Sequence, residues 1–237
     1  MSRSETTDVA IVTGASRGFG RALTAALLER GWTVVVDARR AEELAATVDA
    51  FTLRLTAIAG DVTDASHRAA LVDAAIRTGP LRLLVNNASR LGPSPQPKLA
   101  DYPLIDLRTV YDVNVFAPLA LIQMALPALA RTNGVIVNLT SDAAIEAYEG
   151  WGGYGSSKTA LDQLSAILAV ENQAVRVYAF DPGDMRTEMH QAAFPGEDIS
   201  DRADPASVVP AFLRLLDTKP AAGRYRASDL AVTGAHP

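Results

Sequence analysis

Short, unbroken apolar runs alternate along this chain with longer stretches in which apolar residues recur every three to four positions. The runs Val9–Thr13, Thr33–Asp37, Arg54–Ala59, Leu81–Asn86, Val135–Leu139 and Val175–Phe180 have strand length and are rich in Val, Ile and Leu. Because they lack polar alternation, they predict strands buried on both faces. Between them, Arg21–Arg30, Ala41–Ala50, Ser66–Arg77, Ile105–Arg131 and the segment from Tyr154 to about Asn172 carry helical periodicity. In the last of these, Ala160, Leu161, Leu164, Ile167 and Leu168 form the apolar stripe. Pro205–Asp217 reads as a further helix and Gly223–Leu230 as a last strand. Strict alternation of the two element types predicts an α/β fold: a doubly wound, Rossmann-like parallel sheet of about seven strands, helices on both faces, in a single domain. The polar residues Met1–Thr7 precede it, the Pro-rich piece Gly92–Pro103 is a loop within it, and Pro182–Pro205 reads as a mobile flap.

Composition narrows the function. With 237 residues and 49% hydrophobic content the chain can bury one substantial core. A net charge of −5, with no long Lys/Arg run, argues against nucleic acid or an anionic membrane as partner. The most apolar region, Val113–Ala130, contains Asn114, Pro118, Gln123 and Pro127, which predicts a buried helix rather than a membrane span. Cysteine is absent, so disulfides, thiolate metal sites and cysteine nucleophiles are excluded, and no metal is expected. Val9–Val12 is too short for a signal peptide; a cytoplasmic protein is the expectation.

Two motifs carry candidate chemistry. The first strand runs into Thr13-Gly-Ala-Ser-Arg-Gly-Phe-Gly20 and directly into a helix. Gly14, Gly18 and Gly20 permit a tight turn, close approach of backbone to phosphate, and close packing of helix on strand. The spacing is Gly-x-x-x-Gly-x-Gly, and its place after the first strand favours dinucleotide binding over an ordinary turn. The second motif is Tyr154-Gly-Ser-Ser-Lys158, whose ends lie four apart and so share a helix face. A phenol titrates near pH ~10, and an adjacent ammonium favours its anion; lowering it by ~3 units takes roughly 4 kcal/mol.

Together these motifs resemble the short-chain dehydrogenase/reductase family in its short single-domain branch, over about residues 8 to 230. The resemblance implies that Ser141, thirteen residues before Tyr154, orients a substrate carbonyl, and that Asn114 completes a proton relay to Lys158. Asn86-Asn87-Ala88 is similar to the family's Asn-Asn-Ala-Gly turn, with Ser89 in place of the glycine. Asp61-Val62 looks like the adenine-contacting pair. Pro182-Gly183, with Met185 and Thr187, looks like the stretch that holds the carboxamide and pyrophosphate. Ser16, Arg17 and Phe19 join the three glycines as cofactor contacts, as do Tyr154 and Lys158.

At the end of the second strand, Asp37 would suit the ribose hydroxyl of NAD, and arginine the 2′-phosphate of NADP. In the resemblance the discriminating carboxylate falls one residue later, at Ala38, and strand alternation points Asp37 away. Arg39 and Arg17, two cations with no carboxylate opposing them, favour NADP(H) over NAD(H); Arg40 is a further expected cofactor contact. The implied reaction is reduction of a small, hydrophobic or ring-bearing ketone, with Tyr154 as general acid. Ser141, Asp142, Tyr148, Trp151, Met185 and Met189 are the expected substrate contacts, with Arg90, Leu91, His190 and Phe194 as further walls. An oxidative dehydrogenase, an epimerase or dehydratase, and a non-catalytic NADP(H)-sensing protein remain open. A homodimer through Ile105–Arg131 and Gly155–Asn172 is expected, with a tetramer less secure because the chain lacks the family's usual Val-Asp-Gly-Gly ending.

Overall fold

A computed structural model describes residues 7–39 and 54–230. The helix expected over Ala41–Ala50, and Arg40, lie outside the described residues. All residues of β1 (Val9–Val12), β2 (Thr33–Ala38) and β5 (Val135–Leu139) are buried. Their neighbours are β3 (Leu55–Ala59), β4 (Leu81–Asn86), β6 (Arg176–Asp181) and β7 (Gly223–Arg226). The described residues form a seven-stranded sheet in the order β3-β2-β1-β4-β5-β6-β7, every pair parallel.

Alternation within β1 feeds two cores. Ala10 and Val12 face a layer that includes α1 (Gly18–Glu29) and α7 (Pro205–Thr218), whereas Val9 and Ile11 face α2 (Ala65–Thr78) and α4 (Ala117–Thr132). Phe19, at the start of α1, packs against Phe180 and Phe212, with ring centroids 6.1 and 5.7 Å away. That cluster fixes the first turn of α1 above the sheet. After β3 the chain returns past β1 to build the other half of the sheet. This reversal opens a crevice at the carboxyl ends of β1 and β4.

The long helix expected over Ile105–Arg131 is divided. Helix α3 (Leu104–Tyr111) passes through a π turn at Asp112–Phe116 before α4 begins. Pro118 has no N–H to give the Asn114 carbonyl four residues earlier, so regular α-helical bonding fails there. By length and composition Leu104–Thr132 could cross a membrane, but half of that window is buried inside the protein, with α4 packed on β4 and α2. Helix α5 (Gly152–Glu171) starts two residues before Tyr154. The segment expected to be a flap contains α6 (Glu188–Ala193), and Met185 pairs with Ala203 within it. The last strand stops at Arg226, and Ala227–Leu230 forms a 3-10 turn.

Candidate active site

The glycine turn is built by its neighbours as much as by its own sequence. Gly14 has φ +66° and Gly18 φ +55°, both left-handed. A Cβ on Gly14 would stand 2.9 Å from Ala88 Cα, and one on Gly20 would stand 2.6 Å from the Gly14 carbonyl oxygen. Asn87 staples the turn: its Nδ2 donates to the carbonyls of Thr13 (2.8 Å) and Gly14 (3.0 Å). Asp37 holds it from below, accepting the Gly14 N–H at 2.6 Å and pairing with buried His67 at 3.1 Å. Its carboxylate is therefore committed to the turn. The Asp37–His67 clamp depends on a contact between β2 and α2 that no motif announced.

The crevice above this turn has a volume of about 1180 Å³. Gly14, Ser16, Arg17, Gly18, Phe19, Arg39, Asp61, Val62, Asn87, Ala88, Pro182, Met185 and Thr187 line it, as do Tyr154 and Lys158. A smaller cavity of about 320 Å³, lined by Asp8, Trp32 and Arg82 among others, contains none of these residues. Two expected contacts lie off the crevice wall. Gly20 is pressed against the turn itself, where it lets α1 approach the sheet, and Gly183 (φ +72°) forms a turn whose N–H donates to Asp181 Oδ1 at 3.0 Å.

Tyr154 and Lys158 share one face of α5, and both are buried, at 8% and 2% exposure. The lysine Nζ lies 5.4 Å from the tyrosine ring centroid and donates to the Leu139 carbonyl at 2.8 Å. Burial is the largest influence on both groups. It raises the Tyr154 phenol well above its ordinary value; the carboxylates of Asp181 and Asp142 add to the rise and the nearby Ser89 hydroxyl opposes it. It lowers Lys158 to about 8, against the pull of Asp162 one turn further along the helix. The shift runs opposite to the expectation that Lys158 makes the phenol acidic: burial is its largest cause, and Lys158 is not among the groups that lower it.

Ser141 and Asp142 are likewise placed differently from expectation. The Ser141 hydroxyl donates to Asp142 Oδ1 at 2.8 Å and accepts the Ala143 N–H at 3.2 Å. Asp142 also accepts the Ala143 N–H and the Tyr148 hydroxyl, so its carboxylate is satisfied internally. Neither residue lines the crevice, nor do Tyr148 and Trp151. Trp151 instead packs edge-on against Tyr154, centroids 5.8 Å apart, and supports it from behind. Asn114 is fully buried in the π turn. Its amide donates to the Arg90 carbonyl and Ser157 Oγ (2.9 Å each), and its oxygen accepts from Arg90 N–H (2.8 Å) and Ser89 Oγ (3.1 Å).

A parallel sheet, a glycine turn opening a helix, and a buried Tyr–Lys pair across the crevice from it form one constellation. The family model for short chain dehydrogenases matches residues 8–198. The chain belongs to the short chain dehydrogenase family. It is 37% identical over 185 residues to serine 3-dehydrogenase of Agrobacterium fabrum, covering 75% of this chain and 72% of that one. It is 35% identical over 205 residues to mouse sepiapterin reductase, covering 78% and 77% of the two chains. Among solved structures, a short chain dehydrogenase from Shigella flexneri complexed with NADP superposes with a TM-score of 0.86 at 26% identity, over 95% of this chain and all of that one.

The crevice of this short chain dehydrogenase fits a nicotinamide dinucleotide. The N-cap of α1, Arg17, makes no side-chain cap, and the first turn carries no acidic residue, so its N-terminal N–H groups can meet a phosphate. By contrast, α2 and α7 are capped by Asp64 and Asp204. Asp61 closes a local turn rather than capping a helix, with its Oδ1 accepting the Thr63 N–H and hydroxyl. Burial opposes the charge of Asp61, but those bonds and nearby Arg39 outweigh it and hold the carboxyl below its ordinary value. One expectation about charge needs correcting: Arg17 does face a carboxylate, pairing with Glu188 of α6 across the crevice mouth. Leu91, Met185 and Met189 provide apolar wall, while His190 packs on Phe194 at 4.8 Å.

Proposed function

We propose that this chain is an NADP(H)-dependent reductase of a small, hydrophobic or ring-bearing ketone. The observation that carries the reading is the buried Tyr154 hydroxyl, held protonated where it lines the crevice that begins at the glycine turn. Bound NADPH supplies the hydride. Tyr154 Oη gives its proton to the carbonyl oxygen as negative charge develops there, and burial keeps it protonated until that moment. Ser141 turns its hydroxyl from Asp142 to the same oxygen and stabilises the charge. Lys158, at about 8, holds a proton behind the phenol at neutral pH. Asn114, fixed by four hydrogen bonds, keeps the π turn and the loop from Ser89 in register with α5. Leu91, Met185, Met189 and the Trp151-backed phenol favour an apolar substrate body. Mixing the protein with NADPH and a panel of cyclic and aryl ketones tests this directly: NADPH should be consumed. Tight NADPH binding with no turnover on any ketone would favour a sensor.

Preference for NADP(H) is supported by exposed Arg39 beside the crevice, by small Ala38, and by the commitment of Asp37 to the turn. The NADP complex of the Shigella relative points the same way. Arg39→Asp should weaken NADPH binding by about tenfold or more and leave NADH binding unchanged or improved, read as the ratio of the two dissociation constants. Equal loss for both cofactors would remove the assignment.

The reading includes a homodimer. Leu104, Ile105, Phe116 and Met124 on the α3–α4 run, with Ile167 and Val170 on α5, leave large apolar side chains exposed on the protomer. Light scattering should give about twice the 25.1 kDa chain mass, and Phe116→Glu with Val170→Glu should halve it. A monomeric wild-type chain would end that part of the proposal.

A further inference from the structure

Where the chain departs from its family's usual Val-Asp-Gly-Gly ending, the last strand carries Arg224. Alternation along β7 sends Tyr225 into the core against Tyr178, ring centroids 5.8 Å apart, and Arg224 to the opposite face, toward α5. There its guanidinium meets three segments at once. Nη2 donates to the Ser141 carbonyl at 3.0 Å, just past β5, and to Asp181 Oδ2 at 2.8 Å, at the end of β6. Nε donates to Asp162 Oδ2 at 3.1 Å, one turn beyond Lys158 on α5. The side chains of Arg224, Asp181 and Asp162 are 22%, 5% and 17% exposed, against 71% and 75% in the surface pair Lys98–Glu149, so solvent screens this cluster far less. Two of the partners lead directly into the site. Asp181 Oδ1 accepts the Gly183 N–H at 3.0 Å, opening the stretch from which Pro182, Met185 and Thr187 line the crevice. The Ser141 carbonyl also accepts the Ala144 N–H at 3.0 Å, closing the turn that packs against Gly155 of α5. A planar guanidinium can serve these acceptors in fixed directions, which a lysine ammonium cannot.

We propose that Arg224 is a positioning residue for the reduction described above: its guanidinium fixes the Ser141 backbone and the turn at Gly183 relative to the helix that bears Tyr154 and Lys158. With the Ser141 carbonyl pinned, its hydroxyl can leave Asp142 and turn to a substrate oxygen by side-chain rotation alone. With Asp181 pinned, residues 182–187 meet the crevice in constant register with α5. Arg224 itself lines no part of the crevice and moves no proton. The inference rests on the reductase reading.

The test pairs turnover with a measurement that needs neither cofactor nor substrate. In the NADPH-loaded enzyme, with whichever ketone of the panel wild type reduces fastest, Arg224→Lys should lower kcat by about tenfold or more, since a misplacement of about 1 Å can cost about a hundredfold. The Kd for NADPH should change far less. Guanidinium added to Arg224→Ala, far below unfolding concentrations, should restore part of kcat, which it would not do for a general loss of stability. In the cofactor-free protein, hydrogen exchange in Arg224→Lys should quicken at the Ala144 and Gly183 amides and stay unchanged at the Gly14 amide, which Asp37 holds. Asp162→Asn, which loosens one arm only, should show the same exchange pattern more weakly, and decides the matter where the arginine variants do not fold. Unaltered kcat in a folded Arg224 variant, or exchange that quickens everywhere alike, would overturn the role of Arg224. A wild-type protein that reduces no ketone would instead overturn the reading beneath it, and the exchange rates would still decide whether Arg224 holds the two turns.

Discussion

Tyr154→Phe should lower ketone turnover by about a thousandfold while affecting NADPH affinity far less. The ring remains, so the edge-on contact with Trp151 and the burial against Leu91 and Ala143 persist. What is lost is the crevice-lining hydroxyl whose proton the proposed reduction uses. Its raised pKa also sets a direction. Across neutral pH the group is an acid, so ketone reduction should change little with pH, whereas alcohol oxidation, which needs the phenolate, should climb as pH rises. Stopped-flow measurement of both directions between neutral and alkaline pH checks this. Full activity in the variant would mean that the proton comes from elsewhere.

Lys158→Met should stabilise the protein while abolishing turnover. In an unfolded chain the lysine keeps its proton up to about 10.5, but in the fold only to about 8, because it is buried with the Leu139 carbonyl as its close acceptor. Between those values the unfolded chain binds more protons, so stability rises with pH there. Below about 8 both states are protonated and the cost of the buried charge is present in full. The gap amounts to on the order of 3 kcal/mol at neutral pH. Removing the lysine loses one hydrogen bond, about 1 kcal/mol, which leaves a net gain of roughly 2 kcal/mol. For a chain of this size that is on the order of 5 °C in Tm, shrinking as pH approaches 10. Thermal melts of both proteins without cofactor, at pH 7 and pH 10, decide it. A lower Tm for the variant at pH 7 would show that the lysine is not the stored cost described here.

Most of the framework was readable because it depends on local rules. Continuous Val/Ile runs such as Val34–Val36 can only be strands covered on both faces, and glycines at 14, 18 and 20 mark a turn whatever lies around it. The interruption at Asp112–Phe116 hid inside an apolar helical pattern, although Pro118 held the clue, since it removes the donor that Asn114 would need. The bonds that set the site's chemistry join residues far apart in the chain. Ser89 meets Asn114 across 25 positions, Asn114 meets Ser157 across 43, and Arg17 meets Glu188 across 171. No spacing rule predicts such pairs.

Periodicity, glycine placement and the Tyr154–Lys158 interval determined that this chain would fold as a doubly wound sheet with a cofactor crevice and a phenol–amine pair on one helix. The tertiary structure alone decided how far each group's proton affinity moves from its ordinary value, because that shift follows burial and partners rather than residue type. It turned Ser141 toward Asp142, set Ser89 against Asn114, and drew Asp37 beneath the glycine turn. Each of these followed from packing that brought distant segments within hydrogen-bond reach, where water no longer competes.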